Sequence, residues 1–375
     1  MAGAVDLFER SKHAEPMWRH VARLVALAPQ PGAEFGGTLA FDARGAARLA
    51  VGAPRYDARA HEGAPWTWDA GQVHVFTRHR PSTAHSVHAG EWLEVAVIDS
   101  PDPQPSDWFG AAIALEGDLL AIGSPGRDLT RETDGALIPN AGAVLLYRRI
   151  DDGERMYGVV PPAERYRLER VLTAPLPEHS AWFGQAVALA GNTLAVGAPR
   201  ARGLREDGAS AEPIGCVHLF DLASPDRLPE RIDPPSALVV TGFGQTLALE
   251  GRTLVVGAPT TGAIAPGSGG SIVRDVGGTW VYALGEQSVR ADLRPPDLAP
   301  SVLFGATAAL AEPEQREGAG QSARPSTAQA AGHGFARRQM SSLVAIVGHR
   351  YTEEESTVPS PGAAIYAVPR VRAPP

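Results

Sequence analysis

Short apolar runs separated by turn residues dominate the chain. Residues 186–189 alternate small and large apolar side chains, and a second run at 193–197 follows the turn Gly191-Asn192. Runs of this length, rich in β-favouring residues and bounded by Gly, Pro, Asn or Asp, are typical of strands. No segment keeps a helical period longer than the N-terminal stretch at residues 21–27. The pattern predicts an all-β protein.

One motif, Phe-Gly followed by Gly-Ala-Pro or a close relative, recurs along the chain. Its successive phenylalanines lie 74, 74, 60 and 61 residues apart. The motif residues are Phe35, Gly36, Gly52 and Pro54; Phe109, Gly110, Gly123 and Pro125; Phe183, Gly184, Gly197 and Pro199; Phe243, Gly244, Gly257 and Pro259; and, in a degraded fifth copy, Phe304, Gly305 and Gly348. A long repeated period indicates one supersecondary unit copied in series.

Each unit carries further apolar runs around this motif. An aromatic-led run precedes the Phe-Gly pair, as at residues 92–97, and another run starts at a glycine and reaches an aromatic five residues later, as from Gly142 to Tyr147. Glycine after the phenylalanine lets neighbouring backbones approach, and the phenylalanine ring fills the space between blades. Proline ends the second run because it cannot donate a ladder hydrogen bond. Four short antiparallel strands per unit predict a propeller blade.

Five units predict a five-bladed β-propeller with blade starts near residues 35, 109, 183, 243 and 304. Residues 18–25 resemble the aromatic-led outer strands, whereas the last unit ends at residues 362–366 with a third strand and no outer strand after it. We therefore expect the N-terminal strand to complete the last blade and close the ring, which removes an open sheet edge. A larger ring leaves too few residues for further blades.

The predicted organisation is an N-terminal tail at residues 1–15, a single propeller domain at 16–370 and a C-terminal tail at 371–375. Residues 311–340 interrupt the fifth unit and contain almost no large apolar side chains. We expect a flexible surface excursion there.

The repeated units resemble FG-GAP repeats, the blades of the integrin alpha-chain propeller and of many bacterial surface proteins. The resemblance spans roughly residues 16–370. It implies a propeller that acts in adhesion or binds a protein or glycan, and it implies an extracytoplasmic location. Residues 1–10 lack the basic start and apolar core of a secretory signal, so a cytoplasmic location stays open.

The composition of the chain limits the kinds of partner that we expect. A net charge of −8 argues against a nucleic-acid surface, which needs a basic face. The chain has no 18-residue apolar run, so we expect no membrane span. Cys216 is the single cysteine, which excludes an intrachain disulfide and favours a buried structural thiol. We expect a monomer.

Many FG-GAP repeats hold Ca²⁺ in an Asp-rich loop between the first two strands, and the resemblance directs attention to that loop. The corresponding turns here, at residues 116–118, 190–192 and 250–252, hold at most two acidic groups each. Asp42 is the closest remnant of the calcium loop. We therefore expect the metal-free repeat type common in bacteria, with no cofactor. The histidines of two loops, His61 with Glu62 and His85 and His88 with Glu91, lack a known ligand spacing.

No nucleophile elbow, metalloprotease helix or phosphate-binding glycine loop occurs, and we expect a protein that is not an enzyme. The alternative is a propeller enzyme, a glycoside hydrolase or a lyase-like protein, with a pair of carboxylates at the axial channel. Asp107 is the candidate acid. The equivalent positions of the later units hold Ala181, Thr241 and Val302 or Leu303, so no ring of acids forms.

The loops between second and third strands differ from blade to blade, and variable loops on a repeated scaffold are where such folds acquire partners. The candidate binding residues are Trp66, Trp68, Asp69, Arg127, Asp128, Arg131 and Asp134. Trp66 and Trp68 suit stacking on a sugar or anchoring a partner protein. The alternative is that both fold inward as a small loop core.

Overall fold

The computed structural model of the chain describes residues 2–10, 18–42, 47–59, 63–78, 91–150, 164–203, 212–235, 241–264, 271–285, 288–295, 301–311, 343–348 and 363–368. The regular elements of these residues are all strands. No described residue belongs to a helix long and apolar enough to cross a membrane. The all-β prediction is confirmed. The predicted excursion at 311–340 lies outside the described residues apart from its first residue.

The strands follow one another as four sets of four, with short additions. The N-terminal hairpin is β1 (Val5–Arg10) and β2 (Trp18–Leu24). Blade one contains β3 (Thr38–Asp42), β4 (Arg48–Ala53), β5 (Gln72–Arg78) and β6 (Trp92–Asp99). Blade two contains β7 (Ala112–Glu116), β8 (Leu119–Ser124), β11 (Ala143–Ile150) and β12 (Arg165–Leu172), with the loop hairpin β9 (Leu129–Thr130) and β10 (Leu137–Ile138).

The second half of the chain repeats this order. Blade three contains β13 (Ala186–Ala190), β14 (Thr193–Ala198), β15 (Cys216–Asp221) and β16 (Glu230–Ile232). Blade four contains β17 (Thr246–Glu250), β18 (Thr253–Ala258), β21 (Gly278–Ala283) and β22 (Ser288–Leu293), with the loop hairpin β19 (Ala263–Ile264) and β20 (Ile272–Val273). A last sheet consists of β23 (Thr307–Ala311), β24 (Leu343–Gly348) and β25 (Ala363–Val368).

Each blade is an antiparallel meander, and the four blades lie in a ring as a β-propeller. The predicted number of five blades is wrong: within the described residues the structure has four four-stranded blades. The fifth unit forms the three-stranded sheet β23-β24-β25. Its missing fourth strand is the one that the N-terminal segment was expected to supply.

The N-terminal segment pairs with itself instead. Strand β2 pairs antiparallel with β1, not with β25, and β1 lies within the residues expected to form a tail. Gly3 has a φ of 94° and bridges Phe35, just as Gly71 bridges Phe109 in the next unit. The hairpin therefore occupies the place of the third and fourth strands of a unit before blade one.

Two sets of residues hold neighbouring blades together. The motif phenylalanines Phe109, Phe183, Phe243 and Phe304 are buried, and Phe109 packs in one core cluster with Val73 and Val75 of the preceding blade. The glycine of each Gly-Ala-Pro lies against the next blade, so a Cβ at Gly197 would overlap the carbonyl oxygen of Gly244. The phenylalanines therefore fill space between blades, and the glycines of Gly-Ala-Pro allow the backbones of neighbouring blades to approach closely.

Candidate binding face

We call "upper face" the end of the propeller where first strands begin and second strands end. The second-to-third-strand loops and the segments that precede each Phe-Gly pair lie there, because successive strands of a blade alternate in direction. All seven candidate binding residues belong to loops of this face, in blades one and two.

Trp66 and Trp68 are both solvent-exposed on the loop of blade one. Their exposed fractions are 44% and 62%, so the alternative of an inward loop core does not describe them. The loop is pinned by backbone hydrogen bonds in both directions between Ala58 and Thr67. The guanidinium of Arg59 lies 4.7 Å from the centre of the Trp66 ring. Trp68 is thus the more open of the two rings.

Asp69 and Asp128 make contacts within the propeller itself. Asp69 has a left-handed backbone with φ of 53°, and its carbonyl accepts a hydrogen bond from Trp108 N at 3.1 Å. The Asp69 carboxylate lies 3.5 Å from Arg55. Asp128 accepts a hydrogen bond from Asn140 N at 2.8 Å, which closes its own loop. These two carboxylates stabilise the face, and neither lies open to solvent without a contact.

Arg131 and Asp134 form an exposed ion pair of 2.9 Å beside the hairpin β9-β10. The backbone N–H of Ala136 and the guanidinium of Arg131 lower the pKa of Asp134, since both stabilise its charged form. Arg127 is largely buried, and its guanidinium donates to the carbonyl and carboxylate of Asp102 at 3.1 and 3.0 Å. Of the cationic candidates in blade two, Arg131 is therefore the accessible one.

Asp107 is fully buried beneath this face. Its Oδ2 accepts from Gln104 N at 3.1 Å and lies 3.4 Å from Arg127, whereas Oδ1 is left without a hydrogen-bond partner. Burial raises the pKa of Asp107 to about 6. Alanine, threonine or valine occupies the equivalent position in the other units, at Ala33, Ala181, Thr241 and Val302.

The sequence reasoning missed a cluster formed by Trp108, Trp182 and Arg200. Both tryptophans have left-handed backbones, with φ of 52° and 56°, and their rings meet edge to face at 6.0 Å. The guanidinium of Arg200 lies 3.8 Å from the centre of the Trp182 ring. The signal was present, because Ser-x-Trp-Phe-Gly occurs at both 106–110 and 180–184. We call these three residues the Trp-Arg cluster.

Carboxylates in the turns between first and second strands connect blades. Asp42, the predicted calcium-loop remnant, accepts a hydrogen bond from Gly117 N of blade two at 2.7 Å. Glu116 does the same for Gly191 N of blade three at 2.8 Å. Among the described residues no group of three His, Cys, Asp or Glu side chains could hold a metal ion. His61, Glu62, His85 and His88 lie outside those residues.

The third strands of blades one and three also bury titratable groups. Cys216 is buried, as predicted, and burial raises the pKa of its thiol to about 12. Burial lowers the pKa of His218 to about 4, so the imidazole is neutral at pH 7. His74, at the equivalent position in blade one, is hydrogen-bonded to the buried Glu94. Both histidines are buried residues of third strands, at equivalent positions in their blades.

A cavity of about 350 Å³ opens between blades three and four. Its walls include Leu219, Ile232, Tyr282 and Val289. It exists because the outer strand β16 has only three residues, whereas the outer strands of the other blades have six to eight. The cavity lies on the flank of the propeller, away from the upper face.

Two segments of the chain, residues 92–144 and 166–212, match the FG-GAP repeat. The first runs from the outer strand of blade one into the third strand of blade two, and the second from β12 to the loop before β15. Each match therefore begins on an outer strand and continues into the next blade. No curated protein matches the chain.

Proposed function

Since this chain is an FG-GAP repeat protein folded as a β-propeller, we propose that it is a non-catalytic scaffold that binds a protein or glycan through its upper face. The observation that carries this proposal is the exposure of Trp66 and Trp68 on one fixed loop. Large exposed aromatic side chains are unfavourable in water unless a partner covers them, and tryptophan is enriched in the energetic centres of interfaces. An adhesion role and an extracytoplasmic location fit the same premise.

The alternative function, a propeller enzyme with a carboxylate pair, finds less support. Such a mechanism needs two carboxyl groups several ångströms apart around the scissile bond. Asp107 is buried and hydrogen-bonded beneath the face, and its repeat equivalents are not acids. No arrangement of the described carboxylates favours the enzyme over the scaffold.

The test uses the purified chain on a printed glycan array and against a displayed random-peptide library. We expect saturable binding to at least one class, no cleavage of the bound glycan or peptide, and loss of that binding in the double variant Trp66→Ala/Trp68→Ala. The melting temperature should stay unchanged, because exposed side chains contribute little to the core.

Leu228→Ala is the matched control, since Leu228 is an exposed apolar residue on the loop between β15 and β16, at the opposite end of the propeller. It should leave binding unchanged. Binding that survives the double tryptophan variant would exclude this loop as the site. Turnover of a glycan on the array would favour the enzyme.

A further inference from the structure

Two arginines occupy the same repeat position on the upper face but have different surroundings. Arg55 and Arg200 each follow directly after Gly-Ala-Pro. Arg55 is neutralised by Glu34 at 3.0 Å and Asp69 at 3.5 Å. Arg200 is exposed, and no ion pair joins it to any residue that the structure describes.

The difference has a simple origin in the repeat. Glu34 precedes Phe35, and the residue that precedes Phe183 in blade three is Trp182. Asp69 lies two residues before Gly71, and the residue two before Gly215 is Pro213. Blade three thus has the arginine but no carboxylate at either of these two repeat positions. The guanidinium rests instead on the Trp182 ring at 3.8 Å.

Stacking on a ring leaves the recognition edge of a guanidinium free. The ring face attracts the cation, while the in-plane N–H groups point outward and match the geometry of a carboxylate. The support is itself held in place, because the Trp182 ring packs against Trp108 and the backbone N–H of Trp182 donates to Asn140 O at 3.3 Å. A side chain that is fixed before binding loses little conformational entropy when a ligand arrives.

The same arrangement occurs a second time on this face. Arg59 is exposed and lies over the Trp66 ring at 4.7 Å. In a chain of net charge −8, these two supported cations are local positive points on the binding face. Their charge complements an acidic ligand.

We infer that the upper face docks an acidic segment of a partner protein, with an Asp or Glu carboxylate of that segment held by Arg200. This inference rests on the proposed function and names its ligand class. An acidic sugar is the less favoured source of the carboxylate, because stacking a sugar requires an open ring face and Arg200 covers one face of Trp182. Tryptophan and arginine together are the residues that most often anchor protein interfaces.

Three probes separate these sources of a carboxylate: a hexaglutamate peptide, a hexaglutamine peptide and hexagalacturonate. Calorimetric titration at low ionic strength should show binding of hexaglutamate by the full chain and no binding of hexaglutamine. Arg200→Met should weaken hexaglutamate binding about tenfold. Arg200→Lys should weaken it roughly threefold, because lysine keeps the charge but cannot offer a planar fork.

Arg55→Met is the matched control, since it removes the same charge from the same repeat position on the same face. It should change the affinity by less than about twofold, because Arg55 is already neutralised. Equal losses in the two methionine variants would show a general field effect and overturn the site. Tight binding of hexagalacturonate alone, or no binding of either acidic probe, would overturn the protein partner.

The outcomes also separate this inference from the proposed function. If the ligand found by array or display is lost in Trp66→Ala/Trp68→Ala but retained in Arg200→Met, the scaffold function stands and the carboxylate site falls. If the tryptophan variant has no effect while Arg200→Met abolishes peptide binding, the carboxylate site stands and the role of the blade-one loop falls.

Discussion

Among single residues, Asp107 and His218 show how burial opposes charge in this fold. Both are buried, and both therefore favour their neutral forms: the pKa of Asp107 is raised to about 6, and that of His218 is lowered to about 4. Arg127, 3.4 Å from Asp107, lowers the pKa of that carboxyl less than burial raises it, and the nearby charge of Arg231 lowers the pKa of His218 further. At pH 7 the carboxylate of Asp107 is charged at an energetic cost, while His218 is neutral.

The free energy of unfolding of the Asp107→Asn variant, relative to that of the native protein, should therefore be higher at neutral pH than in acid. The folded state of the native protein holds a proton on Asp107 more tightly than the unfolded state, so its stability falls as pH rises from about 3.8 to about 6. Asparagine stays neutral and keeps an acceptor for Gln104 N. The variant should gain up to about 3 kcal/mol relative to the native protein between pH 4 and pH 7.

Urea unfolding at the two pH values measures this gain. Asp226→Asn serves as the control, because Asp226 is exposed and its replacement removes the same charge without touching a buried group. A pH-independent effect of Asp107→Asn would contradict the raised pKa.

The role of a residue could be predicted from the sequence where the residue occupies a position of the repeat. The buried Phe rings, the close-packed Gly and the buried Cys216 followed from position within the repeat. The role of Asp42 did not, because its partner Gly117 lies 75 residues away on the next blade. The Trp-Arg cluster was missed since its members come from three separate segments that only the fold brings together.

Glycine is required at two kinds of position in a blade, for two different reasons. The glycine of Gly-Ala-Pro has no room for a side chain: at Gly197 the obstacle is backbone of the next blade. The turn glycine Gly191 has open space around it but a φ of 57°. The first is a constraint between blades, the second a constraint of local conformation.

Gly197→Ala should consequently cost about 3 kcal/mol or more of unfolding free energy, because neighbouring blades must move apart. Gly191→Ala should cost only about 1 kcal/mol, the penalty for a left-handed alanine. Guanidinium unfolding of the two variants measures the difference. Equal losses would show that blades three and four are not held together by this contact.

The sequence analysis did not predict β1, the first strand of the N-terminal hairpin, although a signal for it is present. Gly3 and Phe8 show the same five-residue spacing from glycine to aromatic as Gly71 and Phe76. Without an adjacent Gly-Ala-Pro, the segment gave no reason to start a unit there. The register of β1 becomes evident only from the contact between Gly3 and Phe35.

For the molecule as a whole, contacts run from each blade to its neighbours. Arg48 of blade one donates to both carboxylate oxygens of Glu164, which precedes the outer strand of blade two, at 3.1 Å. Thr38 donates to Gly110 O across the same boundary at 2.6 Å. Such structures gain stability from each unit and from each boundary between adjacent units.

The carboxylates of Asp42 and Glu116 accept hydrogen bonds from the next blade, so we predict that the propeller needs no calcium. Titration calorimetry with Ca²⁺ should give no saturable binding in the micromolar range, and EDTA should leave the melting temperature unchanged. The carboxylate of Asp42 is already bonded to Gly117 N. Saturable micromolar binding, or a lower melting temperature in EDTA, would contradict this prediction.

The offset between sequence repeat and blade has a consequence for how such a chain can change its length. Each FG-GAP match begins on an outer strand and ends in or just before the third strand of the next blade. Removing residues 92–164 would take out β6 to β11 and join β5 to β12, so that the outer strand of blade two would complete blade one. Recombination at these points would exchange whole repeats while leaving each remaining blade with four strands, and a propeller coded in this phase can lose or duplicate a unit in a single genetic event.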